Sequence, residues 1–326
     1  MKQSEVPVPQ YPWPTLTSPF AESDFPEEKE WYDSEYTFLS KETREKYKGH
    51  ILAKCSAWMV PALSDRKSLL MVSRYLNYHT VFDDYFELCP VDKAKAYRDH
   101  LVEIVLGKQP NPDDIGLFHQ AAKSMSEVRD TGMPAFWFER MAQEFYDYTT
   151  YGLIEETPYK LAGGKIFPPL QHVLSLREYA IGMGPYFCMI EPAFRISVPV
   201  DIFRHPMIQN IRRNIYRAFG LQNDLVSLER ELSRGIEVIN AILVLRHYNK
   251  ISLEESCAEV LRMHDAYVAE VVAIEANLPE FGIHNDVAHQ YIFHMKQMLS
   301  GLGNWYQKSG TIRYIPSGYP EPEYGK

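Results

Sequence analysis

Three observations predict an all-α fold, a single-domain helical bundle of about ten helices. Apolar residues recur with a period near 3.6, strand signals are scarce, and the breaks between periodic stretches carry Pro, Gly or Asn. The period is plainest over 252–275, where Leu253, Cys257, Val260, Leu261, Tyr267, Val268, Val271 and Val272 form one apolar stripe. Ser252 and Glu255 form a candidate capping box at its start.

Taken in chain order, residues 1–30 are rich in Pro and acidic residues, which predicts an extended arm. Helices are expected at roughly 41–60, 65–87, 91–107, 113–127, 133–153, 171–192, 205–233, 236–248, 252–275 and 284–302. The breaks GKQPNPDD, DTGMP and LAGGKIFPP separate some of them, and the end of the chain, 315–326, reads as a flexible tail.

The chain has 326 residues, is 45% hydrophobic and 24% charged, and carries a net charge of −9. That charge argues against a nucleic-acid partner, because phosphate contacts need clustered Lys and Arg. The N-terminus has no apolar signal core and no run of 18 apolar residues occurs, so no membrane span is expected and a cytoplasmic location is. Cys55, Cys89, Cys188 and Cys257 are scattered without a framework spacing and read as buried, reduced thiols. Aromatic residues reach 13% of the chain, enough either for an aromatic core or for an aromatic-walled cavity.

Two acidic constellations stand out. In VFDDYFE, Asp83 and Glu87 share a helix face and Asp84 lies beside them. Like charges so placed repel unless a cation relieves them, and hard carboxylate oxygens suit Mg²⁺. In QNDLVSLERE, Asn223, Ser227 and Glu231 stand at i, i+4 and i+8, offering an amide oxygen, a hydroxyl and a carboxylate along one stripe. About 140 residues separate the two, so they lie on different helices; facing one another, they would hold several Mg²⁺ ions and, through them, a diphosphate. Arg177, Arg230 and Arg313 could grip phosphate oxygens in bidentate fashion, with Tyr314 as a neutral donor. His284 and His289, and His289 and His294, are five apart, a poor spacing for one helical metal site.

With these residues in place, the sequence resembles the class I terpene synthases, in particular the bacterial terpene cyclases. DDYFE is similar to the aspartate-rich motif, and NDLVSLERE fits the second metal motif, (N/D)Dxx(S/T)xx(K/R)(E/D), at every defined position. Arg177 precedes Asn223 by the spacing of the family's pyrophosphate-sensing Arg, and Trp305, Arg313 and Tyr314 fit its W-x₇-RY ending. The resemblance covers nearly the whole chain. It implies the class I terpenoid synthase bundle around a central apolar cavity, three Mg²⁺ ions, a prenyl diphosphate substrate and an antiparallel homodimer. It further implies metal ligation by Asp83, Asp84, Glu87, Asn223, Ser227 and Glu231, with Asn223 also near the diphosphate. Diphosphate binding falls to Arg177, Arg230, Arg313 and Tyr314, and the effector region to Ala180, Ile181 and Gly182. The Ala-Ile pair departs from the family's usual linker and effector residues, and Gly182 follows as a helix breaker.

The resemblance implies a mechanism as well. Metals and arginines neutralise the leaving diphosphate, an allylic cation forms, and an apolar, aromatic cavity folds and stabilises it. Candidate wall residues are Phe82, Trp58, Tyr78, Phe187 and Trp305, with Tyr179 and Tyr216 as further candidates. A sesquiterpene from farnesyl diphosphate is the favoured outcome and a diterpene from geranylgeranyl diphosphate its alternative. A chain-elongating prenyltransferase would carry a second DDxxD-type motif in place of the Asn-Ser-Glu stripe. A protonation-initiated cyclase would carry DxDD, which is absent. A non-catalytic prenyl-binding protein would have no use for all four motifs.

Overall fold

The computed structural model describes residues 6–308, 312–320 and 324, and the regular elements among them are helical. The Arg66–Phe86 helix starts where Asp65 can cap it, its carboxylate accepting from the amides of Lys67 (3.3 Å) and Ser68 (3.0 Å). It packs against the Leu52–Met59 and Gly116–Arg129 helices and buries Leu69, Val72, Tyr78, Phe82 and Phe86. The long Pro206–Arg234 helix opens with Pro at its first turn and stops at Gly235, whose φ of 66° is the left-handed conformation that glycine tolerates. It packs against the Leu253–Glu275, Leu170–Ala180 and Asn285–Lys308 helices. The predicted capping box of Ser252 and Glu255 forms.

Several predicted helices are split, each for a local reason. The 171–192 stretch becomes Leu170–Ala180, Met183–Cys188 and Ile190–Phe194, with Gly182 at φ 69° making the first break. The 133–153 stretch is α-helical over Ala135–Asp147 and then widens into a π-helix over Tyr148–Ile154. The expected helix at 236–248 begins only at Ala241, because Asn240 caps it, its side-chain oxygen accepting from Ile242 N at 2.9 Å.

The 41–60 stretch breaks at Ile51, whose φ of 52° is strained for a β-branched residue. Ile51 offers no side-chain cap to the Leu52–Met59 helix; Glu28 does so from a neighbouring helix, accepting from Leu52 N (2.8 Å) and Ala53 N (3.1 Å). Burial pushes the Glu28 carboxyl up to about 7, and these amides only partly offset it. Glu28→Ala should strip two buried amides of their acceptor and cost about 2 kcal/mol at pH 5 by urea unfolding. A folded-state value above the unfolded one means that this contribution is complete below the unfolded value and fades as pH rises through 7. The penalty should therefore shrink towards pH 8; a penalty that grows with pH would refute the assignment.

Parts of both predicted end segments pack on the bundle, while residues 1–5, 321–323, 325 and 326 of those segments lie outside the described residues. The predicted arm 1–30 is free of helix over 6–25, but a helix, Pro26–Ser34, begins within it because Pro26 supplies a preset first turn. The arm lies along the Asn285–Lys308 helix: Gln297 accepts from Leu16 N (3.0 Å) and donates to Pro14 O (2.8 Å), and Trp13 donates to Ser300 Oγ (3.3 Å). In the predicted tail, Tyr319 is buried and donates to the Asp84 carboxylate at 2.8 Å. Among the described residues no helix is long and apolar enough to cross a membrane. All four cysteines are free and buried.

Candidate active site

Two helices bring the acidic motifs to one cavity. Asp83 and Glu87 reach it from the end of the Arg66–Phe86 helix, and Asn223, Arg230 and Glu231 from the last turns of the Pro206–Arg234 helix. Arg177, the break at Ala180, Ile181 and Gly182, and Trp305, Arg313 and Tyr314 complete the predicted residues on its wall. The rest of its wall mixes apolar side chains, Leu52, Met59, Leu76, Met183 and Leu302 among them, with further polar and charged ones.

Charge is balanced within the polar end. Five carboxylates (Asp83, Glu87, Glu156, Glu231, Glu237) and four cations (Lys160, Arg177, Arg230, Arg313) line it. Asp83 accepts from Tyr148 Oη at 2.7 Å, a contact delivered by the π-helix, and makes no ion pair among the described residues. Burial pushes its carboxyl up to about 6, against the pull of Lys160 and with a further push from Asp84. Glu87 meets Arg234 (3.1 Å) and Lys160 (3.7 Å). Burial works against its ionisation, but those two cations outweigh it and hold the carboxyl below its ordinary value.

On the facing helix, Arg177 donates to Asn223 Oδ1 (2.8 Å) and Gly220 O (3.2 Å), and its Nε lies 2.9 Å from Asp224 Oδ1. Asn223 Nδ2 in turn donates to Tyr314 Oη (3.3 Å) and Tyr306 Oη (3.4 Å). Asp224 also accepts from Ala241 N at 2.9 Å; burial lifts its carboxyl to about 7 although Arg177 opposes the rise. Glu231 accepts from Asn240 Nδ2 (2.8 Å) and from Arg230 (3.2 Å). The Arg230 guanidinium lies 4.4 Å from the Tyr319 ring centroid, a cation–π contact, and its Nε has no hydrogen-bond partner among the described residues.

Some predicted residues sit elsewhere. Asp84 is turned away from the cavity into a buried bidentate pair with Arg313 (2.7 and 2.8 Å), and also accepts from Tyr47 and Tyr319, both at 2.8 Å. Ser227 is fully buried, donates to Asn223 O at 2.8 Å and is not on the wall. Phe82, Trp58, Tyr78 and Phe187 are core residues rather than cavity wall; Phe82 is directed into a ring cluster with Tyr78, Phe86 and Phe145. Tyr179 and Tyr216 line a separate small pocket beside Glu144 and Arg212. Of the expected aromatic wall, Trp305 alone reaches the cavity. His294 is stacked on Phe194 with centroids 3.6 Å apart, and no group of three His, Cys, Asp or Glu among the described residues is arranged to hold a metal by itself.

The sequence reading missed Lys160, Glu156, Glu237, Asn240, Tyr148 and Tyr319. Only Asn240 carried a local signal, an Asn directly before an apolar helical run, which is a start signal for a helix.

A helical bundle in which acidic and basic groups meet apolar side chains on one cavity is the architecture of an enzyme that handles an anionic, otherwise apolar substrate. The family model for terpene synthase family 2, C-terminal metal binding, matches residues 74–270, and the chain belongs to that family. The matched span includes both acidic motifs. Germacrene A synthase from Nostoc punctiforme is 24% identical over 305 residues, covering 91% of this chain and 92% of that protein. (+)-Eremophilene synthase from Sorangium cellulosum is 24% identical over 265 residues, covering 80% and 79%. The crystal structure of α-eudesmol synthase shares the fold, with a TM-score of 0.78 at 20% identity over 92% of this chain and 99% of that one. The protein is a terpene cyclase with the class I terpenoid synthase fold.

Proposed function

We propose that the cavity binds farnesyl diphosphate with three Mg²⁺ ions and converts it to a cyclic sesquiterpene. The observation that carries the reading is the meeting of Asp83 and Glu87 with Asn223 and Glu231 on one cavity that also presents Arg177, Arg230, Arg313 and Tyr314. The donor set fits the metal: Asp83, a carboxylate without an ion pair among the described residues, shares the cavity with an amide oxygen and a second carboxylate, all hard oxygen ligands. Four cations already offset by five carboxylates leave no surplus positive charge for a diphosphate, so added cations are needed to hold it. Asp83, with Glu87 beside it, would hold part of the metal cluster, and Asn223, Ser227 and Glu231 the rest once Arg177 leaves the amide and Ser227 turns from its backbone bond. The metal supplies Lewis-acid neutralisation of the leaving diphosphate.

Arg177, Arg230 and Arg313 grip the phosphate oxygens, and Tyr314 adds a neutral donor. The apolar end of the cavity folds the prenyl chain and excludes water from the cation. A further relative, 4-epi-cubebol synthase from Streptosporangium roseum, 24% identical over 300 residues, is described as cyclizing (2E,6E)-farnesyl diphosphate, and this favours the C15 substrate; geranylgeranyl diphosphate is the alternative. The test is incubation with C10, C15 and C20 prenyl diphosphates, with Mg²⁺ or with EDTA, followed by diphosphate release and gas chromatography–mass spectrometry. A cyclic C15 hydrocarbon that disappears with EDTA is the expected result. A C20 product would correct the substrate, and no diphosphate release from any length would overturn the reading.

A further inference from the structure

His79 is a group on the cavity wall to which the functional reading gives no role. His79 lies one turn before Asp83 on the same helix, lines the cavity and is only 8% exposed. Its ring is boxed by Tyr148, Tyr75 and Phe145, with centroids 4.6, 5.8 and 5.9 Å away. Its Nδ1 is buried without a hydrogen-bond partner among the described residues. On the other side it abuts the helix break: a Cβ on Gly182 would fall 2.2 Å from His79 Nε2, so the break can carry no side chain while the imidazole is there. Burial pushes the imidazole down to about 3, so it is neutral in the resting protein and keeps one ring nitrogen with a free lone pair.

An unpaired, buried polar group normally costs stability and is rare in cores. Here the ring that carries it lines the cavity beside the Gly182 break, the space that the functional reading gives to the cationic hydrocarbon. The carboxylates on the wall belong to the polar end, where cations engage most of them. Resting on the functional reading above, we propose that His79 is the base that ends the carbocation sequence. A C–H bond next to the cationic carbon breaks, its electron pair forms the new C=C bond, and the proton binds the unprotonated ring nitrogen. A weak base suffices, because a proton next to a carbocation is far more acidic than an imidazolium. The same burial that weakens the base then favours passing the proton on to the departing diphosphate or to water, which restores neutral His79. The product is accordingly an olefin.

The test uses His79→Phe, which keeps a planar ring in the aromatic box, and His79→Gln, which keeps polarity without basicity, both checked by circular dichroism. Farnesyl diphosphate and Mg²⁺ are supplied, and diphosphate release and hydrocarbon composition are read separately. The expected result is diphosphate release within roughly tenfold of the wild type, while the share of the wild-type olefin falls by at least about tenfold in favour of other olefins or water-quenched alcohols. If the ring matters only as packing, the Phe variant keeps the wild-type composition, and that outcome overturns the proposal. Loss of diphosphate release in both folded variants also overturns it, by putting His79 in ionisation. A wild type that releases no diphosphate refutes the functional reading instead, which keeps the two failures apart.

Discussion

Glu231→Gln should abolish turnover and leave the fold intact. The variant keeps an oxygen for the Asn240 amide, which donates to Glu231 at 2.8 Å, and replaces the charged oxygen that Arg230 meets at 3.2 Å with an amide NH2. If that charge holds a cation against the diphosphate, its loss should lower the rate of diphosphate release by at least roughly 10³, about 4 kcal/mol of barrier. Asn223→Leu should act alike, since it deletes the oxygen that Arg177 occupies at 2.8 Å. The checks are steady-state diphosphate release and a thermal melt followed by circular dichroism. Near-normal turnover in a protein with an unchanged melt would remove this stripe from the metal site.

Asp84→Ala should have the opposite profile, a large loss of stability. Asp84 is 2% exposed and takes both arms of the Arg313 guanidinium and two tyrosine hydroxyls. Burial opposes its ionisation, but the charge of Arg313 and the hydrogen bonds prevail and hold the carboxyl below its ordinary value. Removing it takes the bidentate counter-charge from a buried guanidinium, which costs about 3–5 kcal/mol and lowers the melting midpoint by on the order of 5–10 °C. Asp84→Asn, which retains one acceptor, should lose less. An Ala variant that melts with the wild type would show that the pair contributes no net stability.

The contrast between neighbours explains what could be read from the sequence. Ligand motifs are legible because a metal requires oxygen atoms at helical spacing, and Asp83 with Glu87, or Asn223 with Glu231, keep that spacing whatever surrounds them. Facing direction is not legible. Successive residues on a helix point about 100° apart, so Phe82 and Asp84 flank Asp83 in sequence yet leave its face, one for the core and the other for Arg313. His79 shares the stripe of Asp83 and Glu87 at i−4, so periodicity could have flagged it. The split helices were only partly legible: Gly182 and Pro26 announce themselves, whereas the strained Ile51 depends on a Glu28 carboxylate brought from another helix. Lys160 lay between two predicted helices and Tyr319 in the predicted tail, and only tertiary packing makes them part of the site.

The Arg313–Asp84 pair has a consequence for how the molecule is made. The partners are 229 residues apart in the chain. At about 5–20 residues per second, a ribosome needs on the order of ten seconds or more to travel that distance, and through that time the nascent Asp84 has no guanidinium to bury against. Its helix can form early, but its burial must wait for the last part of the chain. Completion of the charged end of the cavity is therefore a late, long-range event in folding, and an enzyme interrupted before residue 313 would be an unfinished site rather than a slower catalyst.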